Sequence, residues 1–479
     1  MVPLPSAEAL GPRYQSYAIS TLESASARVV VAGDSSHRNV FEGGPHRGQW
    51  RFMQIEDRRA AHFEPAAPAD TALLQFTSGS SGSPRGVRIT RANLQSNVEM
   101  IRSWLDVQRG DSAASWLPFH HDMGLVGMLV ASVCGQTTLW QMTPRDFLLE
   151  PLRWLECFGV RGATFAAAPS FAYAYVSRRV KPEQLQGMDF SGWRSAIAGA
   201  ERLDAGALAN FAELLAPHGF EPVALRPAYG LAEATLAVTG HPVELVPRIV
   251  RVRPGSLRER EPVEIEHCGL LTEADDADLH RHLVSSGVPL PGVDVEVVTD
   301  EGFALPDGHL GQISVRGPGV ADGYTVEPSA SVTGFEPDRL RTGDAGFLLD
   351  GELYVLGRIG ESIKVRGRMI YAEALEIAIA SALDLPLNRC AVISTQHTGE
   401  NAIVAVVELP AGSWSGEVVR TLRSELGPSL KLFVYSAASG AIPRTTSGKP
   451  RRRRLWQQIA SKQLESALVF PSDADAPIS

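Results

Sequence analysis

Lysine is scarce in this sequence: five residues (Lys181, Lys364, Lys431, Lys449, Lys462) stand against 40 arginines in a chain of 479. Arginine therefore fills nearly every generic cationic role, and a retained lysine carries more information than usual. Cysteine is rarer still, with Cys134, Cys157, Cys268 and Cys390 far apart, no CxxC pair and no histidine at zinc-ligand spacing. This excludes a disulfide scaffold and a zinc module and reads as free thiols in a reducing cytoplasm. A surplus of positive charge is also missing: the formal net charge is −9, which gives no overall attraction to nucleic acid or anionic lipid. The longest apolar run, around Gly127–Cys134, falls short of the ~18 residues of a membrane span. The opening MVPLPSAEALGPRYQ has neither the basic nor the apolar region of a signal peptide.

What is present is an ordinary globular composition, 44% apolar and 21% charged, long enough for about three domain-sized units. Short apolar strands (Ala27–Ala32, Ala72–Phe76, Thr164–Ala168, Ser195–Ala198) alternate with helical stretches such as Arg91–Val107 and Asp204–Leu215. That alternation predicts layered α/β subdomains on a largely parallel sheet. From Pro242 to Ser286 no period is visible. Short alternating strands then return (Val293–Val298, Gln312–Val315, Glu352–Leu356) between GVPLPG, PDGHLG and DGE turns, predicting a small antiparallel part. A helix at Ala372–Leu383 and a strand at Ala402–Glu408 predict a small α+β domain. Charge supports a cut near Arg358–Glu361, because the first 360 residues carry −12 and the remainder +3. The expected division is 1–357, 358–465 and a disordered tail over 466–479.

The strongest local signal is QFTSGSSGSPRG, Gln75–Gly86. A strand followed by small and hydroxylated residues lets backbone N–H groups converge on a phosphate. The alternative is a flexible Ser/Gly linker. It is not the GxxxxGK[ST] loop, because Gly79 and Gly82 are too close and no Lys-Ser/Thr follows.

This segment resembles the phosphate loop of acyl- and aminoacyl-adenylating enzymes. Further matches follow in that family's order: WLPFHHDMG (Trp116–Gly124), YGLAE (Tyr229–Glu233), RTGD (Arg341–Asp344), GR (Gly357–Arg358) and PRTTSGK (Pro443–Lys449). WLPFHHDMGLVG, PSFAYAY and YGLAEATL look most like the fatty acyl-AMP ligase branch. The resemblance spans roughly Leu22 to Leu455. It implies an ATP- and Mg²⁺-dependent ligase that joins a carboxylate to the α-phosphate of ATP. It places Thr77, Ser78, Gly79, Ser80, Ser81 and Gly82 on the phosphates and the Gly199-Ala200-Glu201 backbone along the adenine. Tyr229, within Tyr229-Gly230-Leu231-Ala232, stacks on adenine in this reading; Asp344 and Arg358 hold the ribose, and Glu233 holds Mg²⁺. Lys449 bridges carboxylate and α-phosphate, against the alternative of a solvated cation beside Arg451–Arg454, themselves read as a solvated helix start or a carrier-docking patch. His121, Asp122, Met123 and Gly124 border the acyl group, with His121 also counted as catalytic, against the alternative of a packed turn. Arg358 and Gly360 form the hinge of a mobile C-terminal domain.

Departures from the family pattern are Arg85 where lysine is usual, Gly360 at the hinge and a short Tyr324–Leu340 stretch. The family's first subdomain, ahead of the equivalent of Leu22, is also expected to be absent, which leaves three readings: a partner that supplies it, a misplaced start or a reduced fold. The acceptor is expected to be a carrier-protein phosphopantetheine, with coenzyme A as the alternative. A catalytically incomplete nucleotide- or carrier-binding subunit is the reading from another class.

Overall fold

In the computed structural model, the α/β alternation becomes a seven-stranded sheet. The structure describes residues 1–4, 14–27, 29–32, 50–54, 70–77, 85–253, 255–274, 279, 281–326, 333–365, 368–397, 400–427, 430–445 and 448–470. Across the sheet lie Thr138–Gln141, Ser112–Ser115, Phe165–Ala168, Ser195–Ala198 and Leu225–Gly230, all parallel. Ala237–Gly240 and Val288–Pro289 then add two antiparallel strands. Phe165–Ala168 is buried throughout, as a strand covered on both faces must be, and its three alanines let neighbouring elements pack close. Trp154, Phe158, Trp193, Phe211 and Phe220 fill the core beside it, with the Phe158 and Trp193 rings stacked 3.5 Å apart.

The expected helix after the phosphate loop runs Arg91–Trp104, and its start is fixed locally. Thr90 Oγ1 accepts the Asn93 N–H at 3.1 Å, while Asn93 Oδ1 accepts the Thr90 N–H at 3.0 Å, a reciprocal cap. Asp204 caps the helix Ala205–Leu215 from one side only, accepting from the Ala207 N–H at 3.2 Å. Among the described residues no helix is long and apolar enough to cross a membrane.

The stretch read as irregular, 242–286, holds a three-stranded antiparallel sheet, Ile265–Leu270, Arg248–Val252 and His282–Val284. Arg248–Val252 and Ile265–Leu270 escape pattern recognition because they are half-exposed and carry charge on their open face, and His282–Val284, though buried, is only three residues long. Arg253 pairs with Glu264, and Arg251 with Glu266 at 3.5 Å. A five-stranded antiparallel sheet follows, built from Asp294–Val298, Gly311–Arg316, Leu340–Leu349, Gly334–Phe335 and Glu352–Arg358.

After Arg358 come a hairpin, Ser362–Val365 with Arg368–Tyr371, and a second layered unit. Its sheet contains Cys390–His397, Glu400–Val407, Lys431–Ala437 and Ser466–Phe470. Helices Ala372–Ala382 and Trp414–Leu426 share one apolar cluster with it, and Arg452–Ala460 shares another. The expected tail over 466–479 is corrected here: Ser466–Phe470 is an edge strand paired with Lys431–Ala437, because its apolar run places Leu468 against one cluster and Val469 and Phe470 against the other. Residues 471–479 lie outside the described residues.

Candidate active site

Antiparallel pairing of Leu340–Leu349 with Glu352–Arg358 puts Asp344 directly opposite Arg358. Arg358 Nε meets Asp344 Oδ1 at 2.8 Å, and the other carboxylate oxygen accepts the Tyr229 hydroxyl at 2.6 Å. Arg358 also donates to the Thr342 carbonyl at 3.0 Å, so its guanidinium is held from two sides. Asp344 holds the guanidinium in its charged form, while burial and then Asp344 push the Tyr229 phenol up. Gly343 makes the bend that turns Asp344 inward, at φ +75°. A Cβ there would sit 2.7 Å from Thr333 Oγ1. Gly343→Ala is expected to cost about 1–3 kcal/mol through left-handed strain and this collision, measurable in a denaturant melt against wild type.

Glu233 lies in the short helical turn Ala232–Ala234 and is 5% exposed. Tyr324, 91 residues further on, donates its hydroxyl to Glu233 Oε1 at 2.7 Å. Gly230, Leu231 and Ala232 line the same cavity as Glu233. Thr77 ends the strand Thr71–Thr77, pairs with Arg85 and also lines the cavity. Ser78, Gly79, Ser80, Ser81 and Gly82 lie outside the described residues.

His120, His121, Asp122 and Met123 line the cavity. Burial, and then the neighbouring His121, lower the His120 pKa to about 3, so His120 is neutral. Gln75 fixes the turn by donating to the His120 carbonyl at 2.7 Å. Asp122 Oδ1 accepts the Met123 N–H at 2.8 Å and starts a π-helix, Met123–Val130, a rare form that occurs often at functional sites. Gly124 is corrected: it is buried, and a Cβ on it would lie 2.4 Å from the Pro118 carbonyl oxygen. It is needed for packing the turn, whereas Gly127 faces the cavity. Among the described residues no group of three His, Cys, Asp or Glu side chains could hold a metal.

Gly199, Ala200 and Glu201 follow the strand Ser195–Ala198, with Ala200 at φ +69°. The Glu201 carboxylate accepts the Phe171 N–H at 2.8 Å, capping the helix Ser170–Arg179. Burial pushes its pKa up to about 7, opposed by that hydrogen bond and by the positive charge of Lys449. Lys449 lines the same cavity as Glu201, and so do Arg358 and Gly360.

The Arg451–Arg454 run is not a solvated helix start throughout. The Arg452 side chain is 11% exposed and binds both oxygens of Glu376 at 2.9 Å, and it also pairs with Glu361. Arg453 is exposed.

The cavity measures about 1730 Å³, above the usual ~300–1,000 Å³ of a small-ligand site. One part of its wall is polar, with Glu233, Asp344, Arg358 and Lys449; another is apolar, with Ile101, Trp104, Ala167, Phe171, Ile197 and Leu236. Such a wall can hold a phosphorylated nucleoside and an extended apolar acid together. Tyr324 and Trp104 were not singled out by the sequence. Trp104 is pinned by donating its indole N–H to the His241 carbonyl at 2.8 Å, and no local pattern marked either residue.

A family model described as AMP-binding enzyme matches residues 15–325. The chain is 32% identical over 506 residues to the putative fatty-acid–CoA ligase fadD25 of Mycobacterium tuberculosis, covering 95% of this chain and 83% of that protein. It is 33% identical over 441 residues to the medium-chain-fatty-acid–[acyl-carrier-protein] ligase JamA of Moorena producens, covering 87% and 73%. It is 32% identical over 501 residues to the long-chain-fatty-acid–AMP ligase FadD32 of Mycolicibacterium smegmatis, covering 91% and 78%. Among solved structures it is similar to one from studies of fatty acyl-adenylate ligases from E. coli and L. pneumophila. The TM-score there is 0.82 at 28% identity, over 97% of this chain and 84% of that one. These matches agree with the arrangement around the cavity, and the chain belongs to the AMP-binding enzyme family.

Proposed function

We propose that the chain activates a fatty acid as its acyl-adenylate, releasing pyrophosphate, and then passes the acyl group to the phosphopantetheine thiol of a carrier protein. The observation that carries this reading is one cavity that joins Asp344, Glu233 and Lys449 to an apolar wall. A carboxylic acid of pKa ~4–5 is ionised at neutral pH, so the attack on the α-phosphate needs no general base. The barrier is the approach of an anion to a polyanion, which fixed cations lower. Lys449 supplies that cation between the carboxylate oxygen and the α-phosphate. Tyr229 stacks on adenine, Asp344 takes the ribose hydroxyls, and Arg358 fixes the Asp344 carboxylate in place through their 2.8 Å pair. Thr77 begins the phosphate loop. His121, Asp122 and Met123 border the substrate carboxylate, His121 as the catalytic member, and neutral His120 adds no competing cation there.

Glu233 fits a Mg²⁺ ligand: it is a single buried carboxylate with one oxygen engaged by Tyr324. Phosphate oxygens and water complete the shell that Mg²⁺ prefers. When bound, the ion neutralises phosphate charge. Residues 1–357 form the nucleotide- and acyl-binding domain in this reading. The unit from 358 to the sheet's edge strand rotates about Arg358–Gly360 between adenylation and thiol transfer, and Gly360, with open space around its Cα, suits that hinge.

Support for the carrier acceptor comes from the relative named as an acyl-carrier-protein ligase. The relative named as a putative CoA ligase favours coenzyme A as the competing acceptor. The test is pyrophosphate–ATP exchange with short, medium and long fatty acids, trapping the adenylate as a hydroxamate. Acid-dependent exchange is expected; its absence with every fatty acid would overturn the reading. Holo-carrier protein and coenzyme A, offered in parallel, then identify the acceptor.

A further inference from the structure

The segment Gly319–Thr325 grips the chain around Glu233 at several points. The Ala321 N–H donates to the Glu233 carbonyl at 2.9 Å, and Thr235 Oγ1 donates to the Gly319 carbonyl at 2.7 Å. Thr235 is a buried β-branched residue at φ +69°, a conformation that persists only where its surroundings impose it. Backbone strain of this kind, two residues after a buried carboxylate, fixes where that carboxylate points.

The same segment is fastened to the strand that follows the phosphate loop. The Arg88 N–H donates to the Gly323 carbonyl at 2.8 Å, and the Thr325 N–H to the Gly86 carbonyl at 2.7 Å. Tyr324 between them is 2% exposed. Its ring meets Phe335 edge-on at 5.1 Å, and the Arg85 guanidinium lies 5.3 Å from its centroid. A ring boxed in this way cannot swing, so its hydroxyl has one place to donate, Glu233 Oε1 at 2.7 Å. An O–H donor on an ionised carboxylate is among the stronger hydrogen bonds a protein makes.

We infer that Tyr324 is a positioning residue for Glu233, holding one carboxylate oxygen so that the other faces the divalent metal carried by the nucleotide phosphates. The cation over its ring face polarises the phenol and strengthens its donation. Arg85, at the position where the family pattern has lysine, thereby connects the phosphate-loop strand to the metal carboxylate through Tyr324. The inference rests on the acyl-adenylate reading.

The test measures Mn²⁺ binding to the full-length chain with a non-hydrolysable α,β-methylene ATP analogue by electron paramagnetic resonance, beside exchange kinetics. Tyr324→Phe keeps the ring and removes the donor. It is expected to weaken Mn²⁺ about tenfold, as loss of a hydrogen bond to a charged group does, with the fatty-acid KM unchanged. In a Glu233→Gln background the same change is expected to add nothing, because Tyr324 acts through Glu233. Glu233→Asp keeps the charge but withdraws it from the phenol, and the same Mn²⁺ loss is expected even if Tyr324→Phe fails to fold. Unchanged Mn²⁺ affinity in Tyr324→Phe or Glu233→Asp, or losses that multiply in the double variant, would overturn the inference. Wild type without acid-dependent exchange would instead sink the underlying reading.

Discussion

Lys449→Ala is expected to lower acid-dependent pyrophosphate exchange by about 10²- to 10³-fold, the scale of losing one preorganised charge-stabilising donor, with ATP binding nearly intact. The turn that carries Lys449 is held by its backbone. The Lys449 N–H donates to Thr445 Oγ1 at 3.1 Å, and the Thr445 N–H returns to the Lys449 carbonyl at 2.8 Å. Arg444 pairs with Pro450 across the turn and donates to the Gly448 carbonyl at 2.9 Å, with Gly448 at φ +85°. Truncating the side chain therefore removes a charge and leaves its platform in place. That charge faces Glu201, whose carboxyl is pushed up by burial and pulled back in part by Lys449. Lys449→Arg is a sharper control, since a planar fork replaces a compact ammonium; it should recover only part of the rate. Exchange undiminished in Lys449→Ala would remove the residue from the mechanism.

Lysine scarcity made Lys449 legible in the sequence, and the RTGD and GR motifs made Asp344 and Arg358 legible. Their pairing was not, because it depends on the register across the turn at Asp350 and Gly351. Tyr324 had no local signal: it meets Glu233 across 91 residues, and a tyrosine among small polar residues predicts nothing about its partner. Arg452 was read as part of a solvated run since its neighbours are arginines. Its real partners, Glu376 and Glu361, lie 76 and 91 residues away. Gly124 is expected from the sequence to border the acyl group, but the direction of a missing Cβ is set by the π-helix, and here it points at the Pro118 carbonyl. Strands with two buried faces, such as Ser195–Ala198, were found from composition. The half-exposed, charge-laced strands Arg248–Val252 and Ile265–Leu270 were not, because neither period nor composition marks them.

The second large effect concerns stability. Arg452→Met is expected to destabilise the unit containing residues 368–470 by about 3–5 kcal/mol, the scale of breaking a buried ion pair by removing one partner. Arg452 and Glu376 side chains are 11% and 6% exposed. Arg452 also donates to the Val392 carbonyl at 3.0 Å, and the Val392 N–H donates to Glu376 at 2.8 Å, so the pair ties the helix Arg452–Ala460 to the sheet and to Ala372–Ala382. The defect should depend on pH, with a definite sign. Burial pushes Glu376 up from 4.5 to about 7 and also raises Glu361, while Arg452 opposes both. A carboxyl raised on folding binds more protons in the folded state, so its contribution is fully present below the unfolded value and is lost as pH rises through the folded one. Without Arg452 both groups move further up, and the variant's deficit should be smallest near pH 4.5 and greatest above about pH 7. Denaturant melts at the two ends of that window measure it. Arg452→Met combined with Glu376→Gln should regain part of the loss, because the more deeply buried of the two carboxylates is then neutral and only Glu361 is left without its cation. A deficit that is equal at both ends, or unrelieved in the double variant, would mean that Arg452 acts through packing of its aliphatic stem and not through its charge.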